Sequence, residues 1–481
     1  MHNSVIAEIL SLTASFTKEE VATIDKLPMS GSSRKYFRVL FKSPKEPSLI
    51  ATFNTNIPEN ETFINWSTHF KQLQLQVPEV YAINKNRDLY LQEDLGNISL
   101  LDYKEKQSNI DDVLEMYRKS LQQLAKIQIL GDKGLDYSIA LVSPEFNKVG
   151  VLHDLLYFKF YFLDTTGVGY HRDKLMKELE ELAKTFTQSR YSYFMFRDFQ
   201  GRNILIKNND VFFIDYQGGM KGPIVYDAVS LLWQAKADLS AQCRDDLFAY
   251  YLNCIENELG TPVKRAELIN EFKELSLLRL LQVLGAYGYR GLFQQKQHFL
   301  ISIPFALKSL AWVLKHYPLD NAYPELKRVL LEITGDEGIL RYELKKASKE
   351  NPLIVQINSF SFIKRGYPKD TSDNGGGFVF DCRGILNPGR LDEFKSKTGR
   401  DIAVKEFLET QTKMPEFLRR VFATVDITIE NYIERNFDSL VVNFGCTGGQ
   451  HRSVYAADMM AKHLKDKYNV NVVVQHLEQH F

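Results

Sequence analysis

The stretch FRDFQGRNILIKNNDVFFIDYQGG sets Asp198, Asn203 and Asp215 across a loop, a strand and a strand end. Kinase chemistry asks for such a set: a carboxylate to accept or orient the acceptor hydroxyl, and an amide oxygen with a second carboxylate to hold magnesium against nucleotide phosphates. Magnesium keeps several of its waters and takes one or two carboxylates, so these three side chains suffice. An Asp-rich loop beside an apolar strand is also a common turn, and D-x4-N occurs by chance. The context adds weight, because the apolar strand VFFI leads to Asp215 and GPIVYDAVSLLWQA follows.

A second stretch, SLVVNFGCTGGQHRSVYAAD, reads as a buried strand running through a Gly-rich loop into a helix. Glycine permits a turn in which the amides around Thr447, Gly448 and Gly449 face one point, and the helix beginning near Arg452 adds its positive end. The forked guanidinium of Arg452 suits phosphate. Cys446 and Arg452 also have the C-x5-R spacing of phosphotyrosine phosphatases, in which a thiolate attacks phosphorus. The residues around the loop point elsewhere.

The elements that must position these residues are read from periodicity. After a short helical start, SSRKYFRVLF (32 to 41) and PSLIATFN (47 to 54) read as paired strands, and a helix occupies 60 to 74. Pro78 opens a short strand, and DLYLQEDLG (88 to 96) is a strand ending in a Gly-punctuated turn. From about 110 to 335 apolar residues recur at helical spacing, interrupted by loop and strand at 193 to 222. Residues 336 to 351 read as a linker. Beyond it LIVQINSFSF, GFVFDCR, SLVVNFG and VNVVVQHL alternate with helices at 414 to 435 and 452 to 466. The expectation is an α+β arrangement over 1 to 335, with a small β-rich lobe to about 95 and a helical lobe after it, then a compact α/β domain over 352 to 481.

At 481 residues, 44% hydrophobic and 25% charged, the chain has apolar material for two or three ordinary domains. Lys plus Arg (60) balances Asp plus Glu (60), so no global field draws it to nucleic acid or an anionic membrane. Residues 351 to 481 hold 17 basic against 16 acidic side chains, so Lys364, Arg365, Lys369 and the KHLKDK helix form at most a local RNA patch and read as a solvated face. Cys243, Cys254, Cys382 and Cys446 form no CxxC pair, and no stretch approaches the roughly 18 apolar residues of a membrane span. A cytoplasmic protein without membrane partners is expected.

The motifs GSSRKYFRV, QEDLG, RDFQGRN, IDYQ and GPIVYD resemble the aminoglycoside phosphotransferase superfamily, and within it the anomeric sugar kinases of cell-wall recycling that phosphorylate N-acetylmuramate and N-acetylglucosamine. The resemblance covers roughly residues 20 to 330. It implies a protein-kinase-like bilobal fold over 1 to 335, ATP and magnesium as cofactors, Asp198 as catalytic base, and Asn203 and Asp215 as magnesium ligands. Gln92, Glu93 and Asp94 would lie in the hinge that bonds adenine through its backbone, and Asp227 would be a structural or substrate-side carboxylate. Two residues depart from the family. Phe196 stands where His is usual, so an aromatic ring is expected to pack where an imidazole scaffolds the loop, and PSLIATFN carries no Lys for the phosphates. That charge is expected from the first loop, where Ser32 and Ser33 offer backbone donors and Arg34, Lys35 and Arg38 follow. Asp154 in HDLLYFKFYFLD, Tyr226 and Trp233 are substrate-side candidates, though such residues are more often helix surface or core than ligand.

GCTGGQHRS, with FVFDCRGILNPGR, KTGRD and VVVQHLE, resembles the C-terminal domain of the RNase adaptor protein RapZ over about 352 to 479. That resemblance implies a hexosamine-phosphate pocket using Asp381, Arg383, Thr447, Gly448, Gly449, His451, Arg452 and Ser453 beside Cys446, and a small regulatory RNA as a second partner. Gly389 replaces the imidazole of the family's NPH step, and no GxxxxGK[ST] loop occurs anywhere. The combined expectation is an ATP-dependent sugar kinase fused to a phosphosugar-binding module. A pseudokinase scaffold and a small-alcohol or aminoglycoside kinase are the alternatives.

Overall fold

The computed structural model describes residues 2–479 apart from 28–33, 44, 235–236, 295, 343–352, 369–376 and 469. Ser32, Ser33, Lys369 and most of the expected linker therefore lie outside the described residues. The chain divides into two units, Met1–Ala286 with Phe305–Gly338, and Tyr287–Pro304 with Ile339–Phe481.

The first unit opens with α1 (His2–Phe16) and an antiparallel sheet of β1 (Val21–Lys26), β2 (Lys35–Phe41), β3 (Leu49–Phe53), β4 (Val80–Ile83) and β5 (Leu89–Glu93), ordered β1-β2-β3-β5-β4, with α2 (Ile57–Gln72) between β3 and β4. Val5, Ile9 and Leu12 of α1 form one helical stripe and pack on Phe37, Val39, Leu49, Ala51, Leu89 and Leu91. β1 escaped the sequence reading for a physical reason: VATIDK is an edge strand with no fully buried position, so it lacks the alternation that marks a half-buried strand.

A largely helical lobe follows, with α3 (Leu100–Lys106), α4 (Ile110–Gly131), α5 (Lys148–Tyr161) and α6 (Arg172–Thr185). Next come β6 (Ser192–Met195), β7 (Ile204–Lys207), β8 (Asp210–Phe213) and β9 (Met220–Pro223), then α7 (Tyr226–Leu232), α8 (Ala241–Leu259) and α9 (Arg265–Tyr287). The helices start where the chain supplies caps, as at Ser99, which forms a capping box with Asp102, and at Ser240, which accepts from the Cys243 amide. β6 pairs with β9 and β7 with β8, and these two short ladders carry the predicted catalytic loop. Short α10 (Gln297–Leu300), α11 (Ile303–His316), α12 (Pro324–Ile333) and α13 (Asp336–Leu340) complete this stretch, with α10 falling in the second unit.

The second unit is built on a parallel sheet of β10 (Ile354–Ser361), β11 (Phe378–Asp381), β12 (Ser439–Cys446) and β13 (Asn471–His476), ordered β11-β12-β10-β13. α14 (Ile402–Thr410), α15 (Met414–Glu434) and α16 (Arg452–Tyr468) pack on it. Central β10 and β12 are buried nearly throughout, as strands covered on both faces must be. Asp381 registers with Gly445, which brings the Arg383 loop and the Thr447 loop side by side at the carboxyl ends of the strands, where parallel sheets bind ligands. Among the described residues no helix is long and apolar enough to cross a membrane.

Candidate phosphoryl-transfer site and anion pocket

The loop that carries Asp198 hangs on a buried carboxylate. Asp227, in the first turn of α7, is fully buried; its Oδ2 accepts the Phe196 amide at 2.7 Å and Gln128 Nε2 at 3.1 Å, and its Oδ1 accepts the Arg197 amide at 3.0 Å. Arg197 has φ 69°, a left-handed backbone that costs a non-glycine residue about 1–3 kcal/mol and persists only where its surroundings enforce it. Burial pushes the Asp227 carboxyl up to about 7 against the pull of these donors. The Phe196 ring sits 5.1, 5.0 and 5.6 Å from the rings of Phe194, Phe199 and Phe213, so aromatic packing supports the loop from the side-chain end.

Asp198 projects from this loop with its side chain 41% exposed. It accepts from Arg279 Nη2 and Arg202 Nη2, each at 3.1 Å, and from Gln200 Nε2. Burial works against its charge, but the two guanidinium groups outweigh it and hold the carboxyl below its ordinary range. It is therefore ionised at neutral pH, as a proton acceptor must be. Arg279 is itself buried on α9 and also donates to Gln282 Oε1 at 2.6 Å and the Arg197 carbonyl at 3.3 Å.

Asn203 and Asp215 meet at the open end of the β7–β8 hairpin, where the Ile214 amide donates to the Asn203 carbonyl at 3.0 Å. Asn203 Nδ2 donates to the Asp198 carbonyl at 3.0 Å, which leaves Oδ1 without a hydrogen-bond donor among the described residues. Asp215 takes the left-handed conformation, φ 65°, and its Oδ1 accepts from Gln217 Nε2 at 2.8 Å and Arg34 Nη2 at 2.6 Å. An unengaged amide oxygen beside a carboxylate suits a hard divalent cation. Among the described residues no cluster of three or more His, Cys, Asp or Glu could hold an ion by itself, so a cation here would need water and phosphate oxygens as well.

The remaining expected residues separate by what they touch. Arg38 is bidentate on Asp94 at 2.6 and 3.1 Å, and Asp94 also accepts from Ser48 at 2.7 Å and the Gly96 amide at 2.9 Å. Glu93 pairs with Lys207 at 3.1 Å, Gln92 keeps a buried Oε1 without a partner, and Lys35 lies 5.8 Å over the Phe53 ring. Asp154 is buried and accepts from Arg197 Nη2 at 2.9 Å and Gln282 Nε2 at 3.3 Å, so it steadies the loop. Tyr226 is fully buried with its hydroxyl on Gln282, and Trp233 is buried beneath the Arg244 guanidinium at 4.0 Å. Gln217, Arg279 and Gln282 were not anticipated from sequence; two of them come from α9, far along the chain from any motif.

In the second unit a cavity of about 720 Å³ opens at the ends of β11 and β12, walled by Arg383, Asn387, Arg390, Thr410, Gln411, Thr412, Lys413, Thr447 and Arg452 among others. Four lining residues are cationic and none is acidic, a balance that suits an anion. Arg452 Nη1 donates to the Arg383 and Ile385 carbonyls at 3.0 and 2.6 Å, Nη2 donates to Thr447 Oγ1 at 3.1 Å, and Nε is buried without a partner. Of the nine residues expected here, Arg383, Thr447 and Arg452 line the cavity. The other six do not line it. Asp381 holds Arg383 at 2.6 Å, buried Cys446 accepts from the Gly449 amide at 3.2 Å and lies 3.1 Å from Ser453 Oγ, and His451 Nε2 bonds the Phe394 carbonyl at 2.8 Å. Gly449 needs its φ of 68°, and a Cβ there would lie 2.5 Å from Glu478, while Gly448 has open space around it. Arg390 stood inside the quoted NPGR motif; Lys413 lies in the α14–α15 turn, which carried no motif.

Residues 30–267 match the phosphotransferase enzyme family and residues 353–480 match the RapZ C-terminal domain. A nucleotide-binding protein of Thermotoga sp. (strain RQ2) is 36% identical over 221 residues, 45% of this chain and 75% of that protein. The chain belongs to this family of nucleotide-binding proteins. Its C-terminal part is a RapZ C-terminal domain, preceded by a phosphotransferase-family, kinase-like domain. The chain spans about half or less of the length of other relatives, such as the nucleotide-binding protein of Ruminiclostridium cellulolyticum, 38% identical over 124 residues, 26% of this chain and 40% of that protein. Similar solved structures include an aminoglycoside phosphotransferase of Ralstonia eutropha JMP134 (TM-score 0.46, 12% identity, 63% of this chain and 96% of that one) and a choline kinase of Cryptosporidium parvum Iowa II (0.44, 12%, 65% and 93%).

Proposed function

We propose that the phosphotransferase-family domain is an ATP- and magnesium-dependent kinase acting on the anomeric hydroxyl of an amino sugar in cell-wall recycling, and that the RapZ C-terminal domain binds a hexosamine phosphate. The observation that carries the kinase reading is the convergence of an ionised, half-exposed Asp198 with an unengaged Asn203 Oδ1 and the Asp215 carboxylate on one tethered loop and hairpin. In this reading Asp198 takes the proton of the acceptor hydroxyl as its oxygen bonds to the γ-phosphorus and the bond to ADP breaks. Asn203 and Asp215 would hold magnesium, which when bound neutralises charge on the phosphates. Arg279 and Arg202 keep Asp198 ionised and oriented between substrates. The four cations walling the second cavity support a phosphate-bearing ligand there.

The experiment is ADP release from magnesium-ATP across N-acetylglucosamine, N-acetylmuramate, other hexoses, choline and an aminoglycoside, with Asp198→Asn as the blank. Turnover on an amino sugar supports the proposal. Turnover on choline or the aminoglycoside instead replaces the substrate class, and silence on all of them favours a pseudokinase scaffold.

A further inference from the structure

Protein kinases carry their phosphate-holding Lys on the third strand and pair it with a Glu of the following helix. Here β3 is LIATF, without a cation. Of the three cations at the start of β2, Arg38 is committed to Asp94 and Lys35 lies over Phe53. Arg34 differs from both. It is 8% exposed, its Nη2 lies 2.6 Å from Asp215 Oδ1, and its Nε lies 3.6 Å from Oε1 of Glu59, in the first turn of α2. The latter distance makes an ion pair but is too long for a hydrogen bond, so Nε–H is a buried donor with nothing to donate to.

Glu59 is held in place. Its Oε2 accepts from Asn54 Nδ2 at 2.9 Å, and Asn54, 2% exposed at the end of β3, is tied to Asn60 at 3.1 Å. One carboxylate oxygen is thus anchored to the β3–α2 turn while the other faces Arg34. The charges complete the picture: one guanidinium between two carboxylates sums to −1, and a divalent cation on Asp215 would turn that into +1, facing a polyphosphate.

We propose that Arg34, positioned by Glu59, is the cation that grips the nucleotide's β- and γ-phosphates, so that the role usually split between a third-strand Lys and a helix Glu is filled by an Arg at the start of β2 and the Glu59 of α2. This rests on the kinase reading above. Glu59 is a positioning residue and touches no substrate.

The test is calorimetric binding of AMP-PNP, AMP and adenosine, with magnesium, to the full chain and to Arg34→Ala, Arg34→Lys and Glu59→Gln, with a thermal unfolding curve for each. Arg34→Ala should weaken AMP-PNP by at least about tenfold while leaving adenosine unchanged, because the loss is confined to charge-assisted phosphate contacts. Arg34→Lys should recover part of that loss. Glu59→Gln should weaken AMP-PNP several-fold and raise KM for ATP more than it lowers kcat. If Arg34→Ala does not fold, the other two variants decide. Wild-type AMP-PNP affinity in the folded variants overturns the proposal, as does an equal loss for adenosine. A wild-type chain that binds none of the three overturns the kinase reading itself.

Discussion

Replacing Asp227 with Asn tests whether the catalytic loop depends on its buried tether. The amide oxygen can keep the Phe196 amide and Gln128, but its NH2 then faces the Arg197 N–H, removing one hydrogen bond and setting donor against donor in a dry site. An unsatisfied buried donor costs about 1–3 kcal/mol. For a large domain each kcal/mol moves the midpoint by roughly 2–4 °C, so a drop of about 2–12 °C is expected at pH 5. The penalty should depend on pH. The folded carboxyl is raised to about 7, above its unfolded value near 3.9, so between about pH 4 and 7 the native state holds a proton that the unfolded chain has released. Wild-type stability therefore falls as pH rises through that window, by up to about 4 kcal/mol at 1.36 kcal/mol per pH unit. Asparagine has no proton to lose, so the penalty should shrink or vanish at pH 8. Urea midpoints for both chains at pH 5 and pH 8 read this difference, and kcat at pH 8 should still fall at least about tenfold because the strained Arg197 loses its restraint. An equal penalty at both pH values would refute the burial-driven shift. Unchanged kcat together with unchanged stability at pH 5 would refute the tether.

Asp198→Asn should abolish ADP release with a near wild-type melting curve, whereas Asp198→Ala should also cost about 1–3 kcal/mol because buried Arg279 loses an acceptor; turnover in either variant sinks the site assignment. Lys413→Ala and Arg390→Ala should weaken glucosamine 6-phosphate binding by about tenfold without moving the melting point, as expected for cations that line the cavity, and calorimetry would expose a wrong assignment by showing no change. Arg452→Ala should instead destabilise its own unit by about 2–5 kcal/mol, since it frees two carbonyls it now bonds; a denaturant midpoint equal to wild type contradicts this. Asp458 is held down to about 2 by His476 and Arg400 despite its burial, so its contribution is present above about pH 4 and lost as pH falls toward 2. Asp458→Asn should thus lower stability at pH 7 and leave it unchanged at pH 2, read by urea midpoints.

Much of the first lobe was legible because its periodicity is strong: Phe37 and Val39 alternate inward on β2, and the β5 run ends at the acidic turn expected of it. The edge strand β1 was not, since an exposed strand needs no apolar pattern. The grouping of the proposed catalytic residues was legible for a different reason. Asp198, Asn203 and Asp215 lie within one loop and hairpin, and hairpin geometry is short-ranged enough that spacing alone places them together. The glycines, Thr447 and Arg452 of the loop after β12 share this property, because a strand, a turn and a helix start are consecutive.

What makes those groups function lies at longer range. Asp227 reaches the Phe196 amide across 31 residues, Arg279 reaches Asp198 across 81, and Arg34 reaches Asp215 across 181. Lys413 enters the cavity wall only because α14 and α15 turn beside the ends of a parallel sheet. Sequence spacing carries the reach of a turn, a few residues; the partners that set charge, tether and orientation are chosen by how separate elements bury their apolar faces. The chemistry-bearing side chains were therefore written locally in the chain, and the packing of distant segments decided which of them are ionised, which are restrained and which remain open to a ligand.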